Sequence, residues 1–261
     1  MLDRLITTFN RLPIWRRQVH LGNRVVLVPN FDRWLYVKLQ ALHLMGRDER
    51  SFLSCHVMPG MTVVDIGANI GVYSIFLADL VGAHGRVFAF EPDPVLFEAA
   101  VTNARVNGKD EVVTLHNLAL GSRTGQATLH RSTYNSGDNR LSSSAAHKES
   151  VPVNVVRGDD VLDGANIDLI KMDVQGWESE VLRGLEQTLR RNPALTVYFE
   201  YWPEGLRRAG EPLSSPVEIL RQSGFSVFMP GENEPLSTQR IERLANVYSG
   251  KRFVNLVAKR L

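Results

Sequence analysis

The chain holds a single cysteine, Cys55. One thiol cannot close an intrachain disulfide, which suits a reducing compartment. Its expected place is a small apolar position in the core. No run of about 18 apolar residues occurs, so no membrane span is expected. The N-terminal stretch lacks the unbroken apolar segment of a secretory signal. An excess of charge of one sign is also missing. Thirty basic against 28 acidic residues leave a formal net charge of +2, which gives no reason to expect nucleic acid as a partner. No histidine or cysteine pair has zinc-site spacing. No internal repeat and no second domain are visible. What is present is 261 residues with 44% hydrophobic content, enough for one sizeable core. The expectation is a cytoplasmic globular protein.

Residues 1–60 read as an N-terminal extension and 61–261 as the main domain. In the extension, Leu2, Leu5, Ile6, Phe9 and Leu12 fall at helical spacing, with Arg4, Arg11, Arg16 and Arg17 nearby. Such a stripe usually packs on a core or a second subunit. Its alternative use is peripheral contact with a membrane surface. HLGNRVVLVPN suggests a hairpin, and RWLYVKLQALHLM a helix with Leu35, Leu39, Leu42 and Met45 on one side. Met58-Pro59-Gly60 breaks the chain.

Beyond that break, strand and helix alternate. MTVVDI, RVFAF, VVTLH, IDLIKM, LTVYFE, FSVFM and FVNLVAK read as strands. Helices are expected over 70–81, from Asp93-Pro94 to Asn107-Gly108, over 177–189 and over 216–222. Asp93 can cap free N–H groups, and proline is tolerated in a first turn. The alternation predicts an α/β fold, a mostly parallel sheet with helices on both faces. One segment departs from it. QATLH and VPVNVV flank a polar tract over 131–150, expected to be an excursion over the sheet edge that helps cover a site, or else a surface loop without a role.

VVDIGANIGVY raises the question of which ligand is held. Dinucleotide loops need G-x-G-x-x-G. Here Asn69 stands between Gly67 and Gly71, and Asp65 would repel a pyrophosphate. S-adenosylmethionine fits better. Helix-start N–H groups suit its carboxylate, Asp65 suits its positive charge, and the glycines let the backbone approach. Glu91 ends the second strand, where an acid can accept hydrogen bonds from both ribose hydroxyls. An NAD-dependent oxidoreductase and a non-catalytic adaptor that keeps the cofactor fold stay open as alternatives.

VVDIGANIGVYS, FAFEPDP, LHNLALG and IDLIKMDVQGWE, in that order and spacing, resemble the FkbM-type S-adenosylmethionine-dependent methyltransferases. The resemblance spans about 61–200. It implies a Rossmann-like class I methyltransferase fold, a seven-stranded sheet with its last strand antiparallel, and O-methylation of a sugar or small-molecule hydroxyl. It places Asp65, Gly67, Asn69 and Gly71 at the methionine end, Glu91 at the ribose, and Asn117 and Ala119 at the adenine. Gln175 stands where the family often has glutamate, so no carboxylate role is expected there.

A hydroxyl acceptor needs alignment and a base. Asp173, at the end of the fourth strand, is the first choice, with Glu178 and Glu200 beside it. Each of the three has an ordinary alternative, as a helix cap, a surface ion pair or a turn cap. Asp173 and Glu200 could share an oxygen-bound magnesium or calcium ion, but the metal-free reading is preferred. Trp177, Tyr201 and Trp202 are available to stack on a sugar ring, whereas Tyr198 is expected in the core. His116, His130 and His147 carry no signal that promotes any of them to base.

Overall fold

The computed structural model describes residues 15–42, 46–132, 135–141 and 149–261. The amphipathic stripe over 2–12, Met45 and His147 lie outside these residues. The N-terminal hairpin is present as β1 (Trp15–Leu21) against β2 (Arg24–Pro29), followed by α1 (Arg33–Leu42) and α2 (Arg47–His56). Cys55, expected in the core, is exposed on α2, because the buried positions of that helix are Phe52 and Leu53. Among the described residues no helix is long and apolar enough to cross a membrane.

The alternation then runs β3 (Thr62–Ile66), α3 (Val72–Val81), β4 (Arg86–Phe90), α4 (Pro94–Val106) and β5 (Val113–His116). After it come β6 (Ala119–Gly121), β7 (Gly125–Arg131), β8 (Glu149–Arg157) and the single turn α5 (Gly158–Val161). The second half holds β9 (Leu169–Met172), α6 (Glu178–Gly184), α7 (Glu186–Arg191), β10 (Thr196–Tyr201), α8 (Pro203–Arg208), α9 (Ser215–Gln222), β11 (Ser226–Phe228), α10 (Thr238–Val247) and β12 (Val254–Lys259). Asp93 caps α4 by accepting from Val95 N at 2.9 Å, and Pro94 occupies the first turn, as expected. The helix expected over 177–189 is two helices that meet at Leu185. The polar excursion is framed by a small sheet, in which β8 pairs antiparallel with β7 and parallel with β6.

The central sheet has the order β11-β12-β10-β9-β3-β4-β5. All its strands run parallel except β12, which is antiparallel to both neighbours. From β3 the chain steps outward to β4 and β5, then crosses back to β9 on the other side. The carboxyl ends of β3 and β9 therefore flank the point where ligands bind in open α/β sheets.

Strand pleat distributes the core to two faces. Val64, Ile66, Ile170, Met172, Val197 and Phe199 pack on one side. Val63, Leu169, Tyr198 and Val257 pack on the other, with Leu77, Ala78 and Val81 of α3. The same parity puts Asp65 and Lys171 on one face, at paired positions of β3 and β9.

The hairpin is bound to the sheet domain by side-chain amides. Asn103 and Asn107 are one turn apart on α4, a spacing close to that of alternate residues in a strand. Asn103 accepts from Leu27 N at 2.7 Å and donates to Leu27 O and Ile70 O. Asn107 accepts from Val25 N at 3.0 Å and donates to Val25 O. The two amides act as a surrogate neighbour strand for β2. Asn103 is fully buried, so Asn103→Ala strands several backbone groups without water. The expected cost is about 3 kcal/mol of stability in urea unfolding; a loss below ~0.5 kcal/mol contradicts the clamp.

Candidate active site

The loop after β3 is shaped by close backbone approach. A Cβ on Gly67 would stand 1.9 Å from the carbonyl oxygen of Asp173, and the φ of Gly67 is +82°. That glycine lets the ends of β3 and β9 meet. Among the described residues, Asn69 (φ 52°) and Gln175 (φ 54°) are the only non-glycine residues in the left-handed region. Both flank this meeting point. Asparagine tolerates that region and glutamine less well, so local strain is concentrated here. These turns also explain why α3 starts at Val72 rather than residue 70.

Asn69 ties three elements together. Its N–H donates to Glu91 Oε2 at 2.8 Å, and its side chain meets Ser136 Oγ at 2.9 Å. Glu91, at the end of β4, takes a second backbone bond from Asp93 N on Oε1 at 2.8 Å. Each carboxyl oxygen keeps a lone pair. Burial, then the nearby Asp93 and Asp65, push Glu91 up to about 8, against the pull of its two backbone donors.

A cleft with a cavity volume of about 90 Å³ opens over these strand ends. Gly67, Asn69, Glu91, Ala119, Asp173 and Gln175 line it, with Leu118, Leu120 and Trp177 as apolar wall. The excursion supplies its cover: Ser136, Gly137, Asn139, Arg140 and Leu141 face the same cleft. The cover is pinned where Arg131 forks onto Asp93 at 2.6 and 2.7 Å and where Ser136 N donates to Asp32 at 2.9 Å.

Several expected ligand contacts sit behind the wall instead. Asp65 is fully buried and turned to Lys171 Nζ at 3.1 Å and Ser74 Oγ at 2.7 Å. Gly71 packs on Ala100. Asn117 spends its amide on the carbonyls of Glu91 and Pro92, at 2.9 and 3.0 Å. None of these three lines the cleft, whereas Gly67, Asn69, Glu91 and Ala119 do.

The acids expected to act are likewise sorted by the fold. Asp173 lines the cleft; Glu178 and Glu200 lie buried behind it. Gln175 Nε2 donates to Asp173 Oδ1 at 2.8 Å and to Glu200 Oε1 at 2.9 Å. A carboxylate at 175 would set three acids against one another, and the amide instead joins two of them. Glu178 Oε1 accepts from Gly176 N at 3.1 Å. Burial, despite that bond, pushes Glu178 up to about 7, with Asp173 adding to the rise. Burial and then Asp173 and Glu178 push Glu200 well above the usual range. Among the described residues, no group of three or more His, Cys, Asp and Glu side chains is arranged to hold a metal ion.

Tyr198 and Tyr201 are core residues, and Trp177 is the nominated aromatic that faces the cleft. His116 stacks on Phe90, and burial lowers its pKa. His130 pairs its backbone with Arg140. Lys171 and Arg140 escaped sequence reasoning. A lysine inside the apolar strand LIKM was a readable signal that an acid must lie beside it. Arg140 sits in a polar tract and had no such marker.

A parallel sheet closed by one antiparallel strand, with an acid ending its second strand at the edge of the cleft, is how Rossmann-like methyltransferases present S-adenosylmethionine. Known proteins agree. The chain superposes on a candidate O-methyltransferase from Klebsiella pneumoniae with a TM-score of 0.51, covering 100% of this chain and 90% of that one at 14% identity. The sequence profile of the methyltransferase FkbM domain matches residues 65–226. The chain belongs to that family and is an S-adenosylmethionine-dependent methyltransferase. It is 30% identical over 201 residues to the methyltransferase sdnD of Sordaria araneosa, covering 63% of this chain and 73% of that protein. It is also 30% identical over 191 residues to the 2-O-methyltransferase NoeI of Sinorhizobium fredii, covering 66% and 75%.

The residues fit the cofactor: Glu91 keeps acceptor capacity toward the cleft, and the wall beside Ala119 is apolar. The raised acids give the cofactor-free fold a defined pH dependence. An acid raised on folding binds more protons folded than unfolded. Its stabilisation is complete below about pH 4.5 and is lost as pH rises through 7 to 8 for Glu178 and Glu91. The urea midpoint of the cofactor-free chain therefore falls from pH 5 to pH 8. Glu178→Gln flattens the fall by up to about 1.4 kcal/mol per pH unit between about pH 5 and 7; an unaltered slope shows that Glu178 does not hold the proton.

Proposed function

We propose that the chain methylates a hydroxyl oxygen of a sugar, glycan or other small-molecule metabolite. The position of Asp173 carries this reading. Of the three acids nominated from the sequence, it is the one at the cleft. Its Oδ1 is held by Gln175, and Oδ2 is left to accept a hydrogen bond from a hydroxyl.

Bound in the cleft, S-adenosylmethionine supplies a methyl group already activated on a sulfonium sulfur. The chain must align the acceptor behind that methyl and take its proton. Asp173 Oδ2 accepts the hydroxyl proton while the O–C bond forms, the S–C bond breaks and the electron pair stays on sulfur. Gln175 stops the Asp173 carboxylate from turning away, and Glu200 anchors the amide from the buried side. Trp177 offers an aromatic face at the same cleft.

In the same reading Glu91 takes the ribose hydroxyls with its remaining lone pairs, and Leu118 and Ala119 wall the adenine. Gly67 and Asn69 border the methionine end, and Asp65, Gly71 and Asn117 support these groups from behind. The 2-O-methyl transfer in the name of NoeI supports oxygen as the acceptor atom.

Asp173→Asn tests the assignment. It keeps an acceptor for Gln175 but removes the base. Methyl transfer is followed with labelled cofactor and fractionated extracts, and the labelled product is located by mass spectrometry. The expected result is a kcat lower by roughly 100-fold or more with S-adenosylhomocysteine affinity unchanged within about threefold. A product methylated on nitrogen or carbon, or full activity in the variant, refutes the reading.

A further inference from the structure

Arg140 is a cation at the cleft with no ion-pair partner among the described residues. It is 6% exposed, and its Nη1 is buried with no hydrogen-bond partner. Nε donates to the backbone carbonyl of Asp138 at 3.2 Å. Among the described residues no carboxylate stands within ion-pairing distance of its guanidinium. The neighbouring stretch SSSAAHK, over 142–148, contains no acid that could serve. Burial and then Arg208 push its pKa down, and Asp138 pushes the other way.

The position is built. The backbone of Arg140 bonds both ways with His130, which fixes where the side chain leaves the cover. The guanidinium lies 5.2 Å from the centre of the Trp202 ring, and Arg208 lies 5.6 Å from the same ring. Arg208 is ion-paired with Glu204 at 3.0 Å, a carboxylate it shares with Arg207, whereas Arg140 has no ion-pair partner among the described residues. A buried, unpaired guanidinium is costly unless an anion completes it, and its forked donors match an oxyanion.

Location separates this group from the ribose carboxylate. Trp202 follows β10, which is three places from β4 in the sheet order. Glu91 follows β4, so the two groups stand over different parts of the sheet edge. Asp173, after β9, lies between them in that order.

We propose that Arg140 binds an oxyanion of the methyl acceptor, so that the acceptor is an acidic molecule carrying a carboxylate, sulfate or phosphate beside its hydroxyl. The assignment of Arg140 to the acceptor rests on hydroxyl methylation by Asp173. Anion binding itself is read without turnover, so the two can fail separately.

The test titrates acetate, sulfate and inorganic phosphate into the full chain saturated with S-adenosylhomocysteine, at constant ionic strength kept with chloride. Calorimetry reads binding in the wild type, Arg140→Gln and Arg140→Lys. The expected result is millimolar binding of at least one oxyanion, weakened at least tenfold in Arg140→Gln. The relative affinity of acetate and the tetrahedral anions tells a carboxylate acceptor from a sulfated or phosphorylated one. Arg140→Lys keeps the charge but loses the fork, and weakens the preferred anion about fivefold; it also serves if Arg140→Gln does not fold. S-Adenosylhomocysteine affinity stays within threefold in both variants. Equal anion binding in wild type and variants, or no oxyanion binding in any, overturns the proposal. So does a tenfold loss of S-adenosylhomocysteine affinity, which would assign Arg140 to the cofactor's own carboxylate.

Discussion

Lys171 holds together a site that is crowded with acids. Its ammonium is buried in the central strand β9, 3.1 Å from Asp65 and over the ring of Tyr73 at 4.8 Å. Burial alone would discharge it, but Asp65, Asp173 and Glu49 outweigh that and keep it protonated. Removing it would leave Asp65 as an uncompensated charge between the two strands whose ends make the cleft. One ammonium cannot neutralise the whole set. Glu49, Glu91, Glu178 and Glu200 are all raised, chiefly by burial and further by one another or by Asp65, Asp93 and Asp173. Glu91 and Glu178, pushed up to about 8 and about 7, are thus partly protonated near neutral pH when no ligand is bound. A ligand with positive charge is the natural complement, and S-adenosylmethionine carries a sulfonium and an ammonium.

The same strand ends also hold the strained backbone. Asn69 and Gln175 are both left-handed, one after β3 and one after β9. Each uses its side chain to organise the cleft. Asn69 reaches the cover at Ser136, and Gln175 joins Asp173 to Glu200. The amide at 175 lets two acids stand close without a third charge between them. The cover, fixed by Arg131 on Asp93, also carries Arg140 to the cleft. Glu91, Asp173 and Arg140 come from three separate elements that converge at the cleft only in the fold.

Much of this architecture was legible in the sequence, because each strand of the sheet is a local apolar run and Asp93-Pro94 is a local cap. The end-of-strand acids Glu91 and Asp173 were legible for the same reason. Side-chain direction was not. Asp65 looked like a ligand group until its pleat parity and its partner Lys171 turned it inward. Asn117 was read as an adenine contact, and the direction of its Nδ2, onto the carbonyls of Glu91 and Pro92, had no local sign. Glu178 and Glu200 are near Asp173 in chain or sheet, yet burial separates them from the cleft. The break at Leu185 and the exposed Cys55 depend on which helix face meets the sheet, a tertiary property. Arg140 carries no local signature, since its meaning comes from Trp202 and from the lack of an ion-paired carboxylate among the described residues.

The central claim is that a positively charged cofactor completes a cluster of partly protonated acids. Calorimetric titration at pH 7.5 in triethanolamine and in Tris, cationic buffers with different protonation enthalpies, tests it most directly. S-Adenosylmethionine should release protons on binding, seen as a buffer-dependent enthalpy, and S-adenosylhomocysteine, which lacks the sulfonium charge, should release fewer. Identical enthalpies in both buffers for both ligands would contradict the account.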